Sequence, residues 1–194
     1  MIALTWTELP DKSGKVMTAH SGTWSDLVAR LQDVGTFPSK DMCPWIKGAS
    51  FGTQRTVKGS LRSNENVTAI FAVEGDYDLG EMQPDTAVRL LENHGVKAAI
   101  YPSPNSGLLE LPKYNGGPRW RVIAPLSKPH PPEARAGLVA RLNGALGGVL
   151  ASESFTLSQG YFFGATPSND YRVAPTFNDP LAGQCDLAPG LRIP

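Results

Sequence analysis

The pattern of hydrophobic and polar positions is clearest in the centre of the chain. Residues 67–73 form a run of β-prone side chains, which is typical of a buried strand. The stretch QPDTAVRLLENHG, residues 83–95, then spaces its apolar side chains as a helix does, with Pro84 in the first turn and Gly95 as the stop signal. The pattern predicts a strand followed directly by a helix.

The chain after Gly95 continues in the same manner. VKAAIY and RWRVIAPL read as strands, EARAGLVARLNGAL reads as a helix, and LSQGYFFGAT offers a last strand. The order strand, helix, strand, strand, helix, strand is that of a ferredoxin-like or RNA-recognition-motif-like (RRM-like) core. We therefore predict an α+β fold, with a mixed β-sheet in a two-layer core.

The segment before this core carries one clear helix, WSDLVARLQ, which Thr23 and Asp26 begin with the pattern of a capping box. Residues 37–62 are irregular and aromatic. They also contain scattered positive charge, at Lys47, Arg55, Lys58 and Arg62.

These segments predict one domain over residues 1–194. Residues 1–65 form an N-terminal α/β layer, and residues 66–174 form the core. Residues 175–194 are rich in Pro, Gly and Asp, which predicts a linker or a docked terminal arm.

Composition narrows the functional classes. Lys+Arg and Asp+Glu are equal at 18 each, so no global basic field points to nucleic acid, although a local basic groove is compatible with this balance. Cys43 and Cys185 lie far apart, and no Cys/His spacing suits a structural zinc site. No signal-peptide pattern and no apolar run of membrane-spanning length is found, so we expect a cytoplasmic protein without a membrane partner.

The candidate chemistry lies in AIFAVEGDYDLG, residues 69–80. Glu74, Asp76 and Asp78 alternate directly behind the apolar run, so in an extended chain they project to one side. Clusters of carboxylate oxygens hold Mg²⁺ or Mn²⁺ against phosphates. The alternative is a solvated turn, because Gly75 and Gly80 are also turn residues.

Two arginines accompany the acids. In PRWRV, Arg119 and Arg121 share one strand face and Trp120 and Val122 share the other, so the two guanidinium groups lie beside the acids if the strands pair. Their forked donors suit phosphate oxygens, while simple ion pairing with the acids is the alternative.

The ordered set of motifs resembles a known family. An apolar strand ending in DxD, a strand ending in the turn SPNSG, the strand RWRV with PLSKP, and ESFTLSQGYFFG resemble the archaeo-eukaryotic primase (AEP) superfamily. The closer resemblance is to primase-polymerase (PrimPol) domains of phage and plasmid replication proteins. It covers roughly residues 67–173, and it implies template-directed nucleotidyl transfer in DNA replication by a two-metal mechanism.

The resemblance implies a set of metal ligands. Asp76 and Asp78 match the DxD pair that binds two Mg²⁺ or Mn²⁺ ions. The third acid of such sites falls before the last strand, where Glu153 stands, with Glu74 in reserve.

The resemblance also implies a nucleoside triphosphate site. Relatives often carry a Ser-x-His motif after the second strand, and Ser106 stands about where the histidine would be. Nucleotide binding is therefore expected to depend on Arg119, Arg121 or an N-terminal basic residue, with Ser106 and Ser158 as further candidates. The expected partners are DNA template and primer, nucleoside triphosphates and, in a longer parent protein, a helicase domain C-terminal to this chain. If a phage or plasmid encodes the chain, the expected location is the cytoplasm of the bacterial host.

Other classes remain open at this point. An RRM-like binding module would stack nucleic-acid bases on sheet aromatics such as Tyr161, Phe162 or Phe163, although core positions are the more common use of such residues. A metal-dependent nuclease would use the same acids. A TOPRIM-like enzyme would use the Glu-Gly pair of VEGDYD, but the later DxD of that fold is missing.

Overall fold

The computed structural model describes residues 3–107, 116–176 and 185–186. The secondary structure of these residues comprises strands and three α-helices with short 3₁₀ turns between them. The strands are β1 (Leu4–Leu9), β2 (Thr18–Gly22), β3 (Trp45–Lys47), β4 (Ala49–Phe51), β5 (Val67–Tyr77), β6 (Ala99–Pro102), β7 (Trp120–His130), β8 (Tyr161–Phe162) and β9 (Ala174–Pro175). The helices are α1 (Trp24–Gln32), α2 (Pro84–Asn93) and α3 (Arg135–Ala145).

The strands form two antiparallel sheets, so the predicted α+β class is confirmed. The expected mixed sheet is wrong for the described residues, because every pairing between their strands is antiparallel. One sheet has the order β2-β1-β3-β8 and the other has the order β4-β5-β7-β6-β9. In the described residues no helix is long and apolar enough to cross a membrane.

The last predicted strand does not join the core sheet, which corrects the four-strand ferredoxin-like expectation. Only Tyr161 and Phe162 of LSQGYFFGAT are extended, and they pair with β3 in the other sheet. The sheet position beside β5 is taken by β4, from the N-terminal segment. Two residues offer too few ladder hydrogen bonds to compete with β4 for that edge, and the choice depends on contacts between segments far apart in sequence.

Both faces of the five-stranded sheet are covered. Side chains such as Val73, Trp120 and Val122 pack against Leu91 of α2 and Leu142 of α3. The opposite face packs against the four-stranded sheet and α1, through residues that include Ala72, Ile123, Leu31, Ile46 and Phe163. Tyr161, Phe162 and Phe163, the aromatic residues that a binding module would use to stack bases, are all buried.

Local sequence signals define the helix ends well. In the capping box of α1, the Thr23 hydroxyl accepts from the Asp26 N–H and the Asp26 carboxylate accepts from the Thr23 N–H. Pro84 begins α2, and His94 caps its C-terminus, one residue before Gly95 with φ of 67°. These predictions are confirmed.

The described part of the C-terminal segment is docked on the core. β9 pairs with β6, and the Thr176 hydroxyl accepts from the Ala98 N–H. Asp186 accepts hydrogen bonds from the backbone N–H and the hydroxyl of Ser127 and lies 2.9 Å from His130 Nε2. The remaining residues of the predicted arm, 177–184 and 187–194, lie outside the described residues.

A buried ion cluster joins the two sheets to α3. Glu74 Oε2 lies 2.7 Å from Lys47 Nζ of β3 and 2.9 Å from Arg135 Nη1 at the start of α3. The Gly48 N–H donates to Glu74 Oε1. Arg135 also donates to the carbonyl oxygens of Glu74 and Ser154, so its fork is fully used. All three charged side chains are buried.

One carboxylate faces two cations in this cluster, and their mutual influence appears in the pKa values of Glu74 and Lys47. Burial opposes ionisation of Glu74, but Lys47 and Arg135 outweigh it, so the pKa of Glu74 is lowered. Burial, together with repulsion from Arg135, lowers the pKa of Lys47 to about 7. Arginine stays charged in proteins, so Glu74 keeps a cationic partner even where Lys47 is neutral.

Removing the Glu74 charge should destabilise the fold strongly. Glu74→Gln keeps the side-chain volume but leaves buried cations without their carboxylate, and loss of one partner of a buried pair costs about 3 to 5 kcal/mol. Urea unfolding should show this loss. Asp41→Asn is the matched control, because Asp41 pairs with Lys12 on the exposed surface and surface pairs contribute about 1 kcal/mol at most. Equal stability of the two variants would contradict a central role for the cluster.

Candidate active site

The pairing of β5 with β7 brings the acids and the arginines together. Asp76 lies opposite Arg121 and Tyr77 lies opposite Trp120 in the ladder, so Asp76 and Arg121 share a sheet face. Asp76 Oδ1 lies 3.1 Å from Arg121 Nε. The expected adjacency of the acidic strand and the RWRV strand is confirmed.

A second pair lies just beyond the end of β5. Asp78 Oδ1 accepts a hydrogen bond from Arg119 Nη1 at 3.0 Å. The Asp78 side chain is 47% exposed, whereas that of Asp76 is 17% exposed. Asp78 therefore faces solvent while Asp76 lies one layer deeper.

The electrostatics of Asp76 reflect this depth. Burial raises its pKa, Arg121 opposes the rise, and the neighbouring Asp78 carboxylate adds to it. Lys40, from the 3₁₀ turn before β3, also acts on Asp76 as a positive charge. No individual signal in the sequence points to Lys40, because it lies in an irregular segment more than thirty residues before Asp76.

Arg121 is held from three sides. It donates to Asp76 through Nε and to the carbonyl oxygen of Phe162 through Nη1, and its guanidinium lies 5.7 Å from the centre of the Tyr161 ring. The side chain is buried. This geometry suits a residue that positions Asp76. Arg119 is also buried, but its partner Asp78 is half-exposed, so the outer pair is the one that borders solvent.

The turn Ser152–Phe155 is fixed to the end of β5. The Asp76 N–H donates to Ser154 Oγ at 3.0 Å, and the Ala151 N–H donates to the Asp76 carbonyl at 2.8 Å. The expected third ligand, Glu153, lies on this turn with an exposed side chain that accepts from its neighbour Ser152. Within residues 3–107, 116–176 and 185–186, no group of three or more Asp, Glu, His or Cys side chains is arranged to hold a metal ion.

Glu74, the expected reserve ligand, has another role. Its carboxylate is buried and accepts from Lys47, Arg135 and the Gly48 N–H, so it does not face the open side where Asp78 lies. The same cluster buries Lys47, which the sequence had grouped with the surface basic residues. We assign both residues to the fold.

Two cavities lie on either side of the loop that carries Asn105 and Gly107, and neither Asp78 nor Arg119 is among their lining residues. Ser106 lines a cavity of about 310 Å³, and its hydroxyl accepts from the Arg119 N–H. A larger cavity of about 700 Å³ includes Lys40 and Asn105 in its lining. The two share Gly107 and Ser168, so they adjoin each other.

Two glycines approach each other closely next to residues that line the smaller cavity. Gly116 and Pro118 line this cavity, and a Cβ built on Gly117 between them would overlap the carbonyl oxygen of Gly80. Only a residue without a side chain fits at position 117 in this backbone arrangement.

Ser158 is placed apart from these groups. Its backbone N–H donates to Asn64 Oδ1 at 2.9 Å, and the residue is buried. These contacts indicate a structural role, and the expected role of Ser158 in nucleotide binding stays a prediction.

Comparison with known proteins gives one structural similarity. No protein-family description matches the chain, and no curated protein matches it. Among solved structures, the chain is similar to the AEP domain of the primase-polymerase (PrimPol) of cyanophage S-2L, with 14% identity and a TM-score of 0.46. The match covers 91% of this chain and 82% of that one.

The two arginines should differ in their effect on stability. Arg121→Lys removes the fork that joins Asp76 to the Phe162 carbonyl in a buried place, where charged hydrogen bonds contribute about 1.5 to 3 kcal/mol. Arg119→Lys alters a bond to the half-exposed Asp78 and should cost less than about 1 kcal/mol. Urea unfolding of both variants measures this difference. The opposite order would show that Arg119, and not Arg121, is the structural one.

Proposed function

We propose that this chain is a nucleotidyltransferase that adds nucleotides to a 3′ hydroxyl on a DNA template, as primase-polymerases of phage and plasmid replication do. The observation that carries this proposal is the position of the Asp76 and Asp78 carboxylates. They lie at and just beyond the end of β5, each beside an arginine, and Ser106, which lines the smaller cavity, accepts from the backbone N–H of Arg119. Sites that combine carboxylates with the guanidinium groups of arginine suit the transfer of charged phosphoryl groups.

The two aspartates fit a divalent cation. Mg²⁺ is usually held by one or two carboxylates, with water and substrate phosphates completing its coordination, so a third protein acid is not required. Asp76 and Asp78 are therefore the proposed ligands, with Glu153 as the candidate third. When bound, Mg²⁺ or Mn²⁺ would activate the attacking hydroxyl and stabilise the leaving pyrophosphate.

Arg119 is the proposed contact for the triphosphate. Its guanidinium pairs with Asp78, its backbone N–H donates to Ser106 of the smaller cavity, and its planar fork matches phosphate oxygens. Arg121 keeps Asp76 in place instead, because its donors are already committed to Asp76 and Phe162.

The larger cavity is the proposed place for the nucleoside part. Its volume of about 700 Å³ is within the range of small-molecule sites, about 300 to 1,000 Å³. Lys40 on one wall supplies positive charge near Asp76, and Asn105 and Thr166 supply polar groups for a sugar or a base.

Loss of either aspartate should abolish nucleotide addition. Asp76→Asn and Asp78→Asn keep the side-chain size and an acceptor for each arginine, but they remove the charge that would bind the cation. We expect each to reduce primer extension on the order of 100-fold or more, as when one electrostatic group of an active site is lost. Glu133→Ala, on an exposed position before α3, is the control and should extend normally.

The same primer-extension assay distinguishes the proposed function from the alternatives. Normal extension by either aspartate variant would refute the proposed mechanism. Aspartate-dependent cleavage of the template without extension would favour a nuclease. Glu153→Gln should lose less activity than the aspartate variants, and an equal loss would make Glu153 the third ligand.

Nucleotide affinity should depend on the shape of the Arg119 side chain. Arg119→Lys keeps the charge but loses the fork, so we expect binding of nucleoside triphosphate to weaken by about 1 to 3 kcal/mol. Arg89→Lys, on the exposed side of α2, is the matched control. Fluorescence titration with a labelled triphosphate measures both. Unchanged affinity of Arg119→Lys would place the triphosphate elsewhere.

A further inference from the structure

A third cavity, apart from the candidate active site, is strongly basic. It has a volume of about 710 Å³ and is lined by Lys12, Lys15, Lys58 and Arg62, with uncharged side chains between them. No acidic residue lines it. The whole chain carries equal numbers of acidic and basic residues, so this cavity is a local concentration of positive charge.

The cavity is held in shape by contacts between two loops, residues 11–16 and 55–62. The Leu61 N–H donates to the Gly14 carbonyl, and Arg62 Nη2 donates to the Lys12 carbonyl. Arg55 donates to the carbonyl oxygens of Lys15 and Gly59, which adds a fifth cation beside the cavity. The fold therefore keeps like charges together in one concave surface. Asp41 compensates Lys12, and a bound anion would reduce the repulsion among the remaining cations.

A series of contacts runs from this cavity to the candidate active site. Arg62 lies 4.8 Å above the Trp45 ring, and the Trp45 ring lies 4.6 Å from that of Phe162. The Phe162 carbonyl accepts from Arg121, which holds Asp76. On the other side, Lys12 pairs with Asp41, which lines the cavity of about 700 Å³. A long ligand in the basic cavity would thus pass close to the active-site cavities.

We infer that the basic cavity binds the phosphate backbone of single-stranded nucleic acid. Several cations spread over a surface groove match the repeated phosphates of a strand, and this contact is independent of base sequence. Val57 projects fully exposed from the rim, where it can contact a sugar or a base. The binding site rests on its own contacts, and only its use as a template track rests on the proposed function.

The inference is tested with Lys15→Ala plus Lys58→Ala. Both side chains are exposed, so the variant should fold as the parent does. The matched control is Lys128→Ala plus Arg89→Ala, which removes the same charge from exposed positions away from the cavity. Fluorescence anisotropy measures binding of a labelled oligothymidylate without divalent cations or nucleotide, so the readout does not depend on turnover.

We expect the double variant to bind the oligonucleotide about tenfold more weakly or worse at ~100 mM salt, and the control to bind as the parent does. The slope of log affinity against log salt should become shallower by about 1.4, since each lost phosphate contact on a single strand contributes about 0.7. Asp78→Asn should bind the strand like the parent, which separates this site from the proposed reaction.

Three results would overturn the inference. The first is equal oligonucleotide affinity of parent, variant and control. The second is a parent that does not bind the oligonucleotide. The third is an equal loss of oligonucleotide and of inorganic tripolyphosphate in the double variant, which would make the cavity a site for free phosphate chains.

Discussion

The buried carboxylate of Glu74 is the interaction on which the arrangement of this protein depends. It connects β3 of one sheet, β5 of the other and the first residue of α3. Each of these elements offers a buried charge that is costly without its partner, so the three must assemble together. The acids that follow Glu74 along β5 are fixed in position by this assembly.

One alternating sequence pattern therefore produces three different carboxylates. Glu74 is buried among cations, Asp76 is 17% exposed beside Arg121, and Asp78 is 47% exposed beside Arg119. The change follows the course of the strand from the space between the sheets to solvent. A carboxylate sealed from water serves the fold, while one that reaches solvent can exchange its partner for a ligand.

The features of the fold and of the candidate site that depend on local sequence signals were predictable. The alternation along β5, the capping box of Thr23 and Asp26, and the shared face of Arg119 and Arg121 all follow from spacing along the chain. The burial of Lys47 was not predictable, because it depends on Glu74 and Arg135, which are distant in sequence. The pairing of Tyr161 and Phe162 with β3, and the position of Lys40 near Asp76, depend on the same kind of long-range contact.

The close approach of Gly80 and Gly117 has a consequence for the spacing of two chain segments. A Cβ at position 117 would overlap the Gly80 carbonyl oxygen, so main chain lies directly against main chain there. Gly80 follows Asp78 by two positions, and Gly117 precedes Arg119 by two positions. Any side chain at position 117 would have to displace one of the two backbones, and the partners of the outer ion pair would move with it.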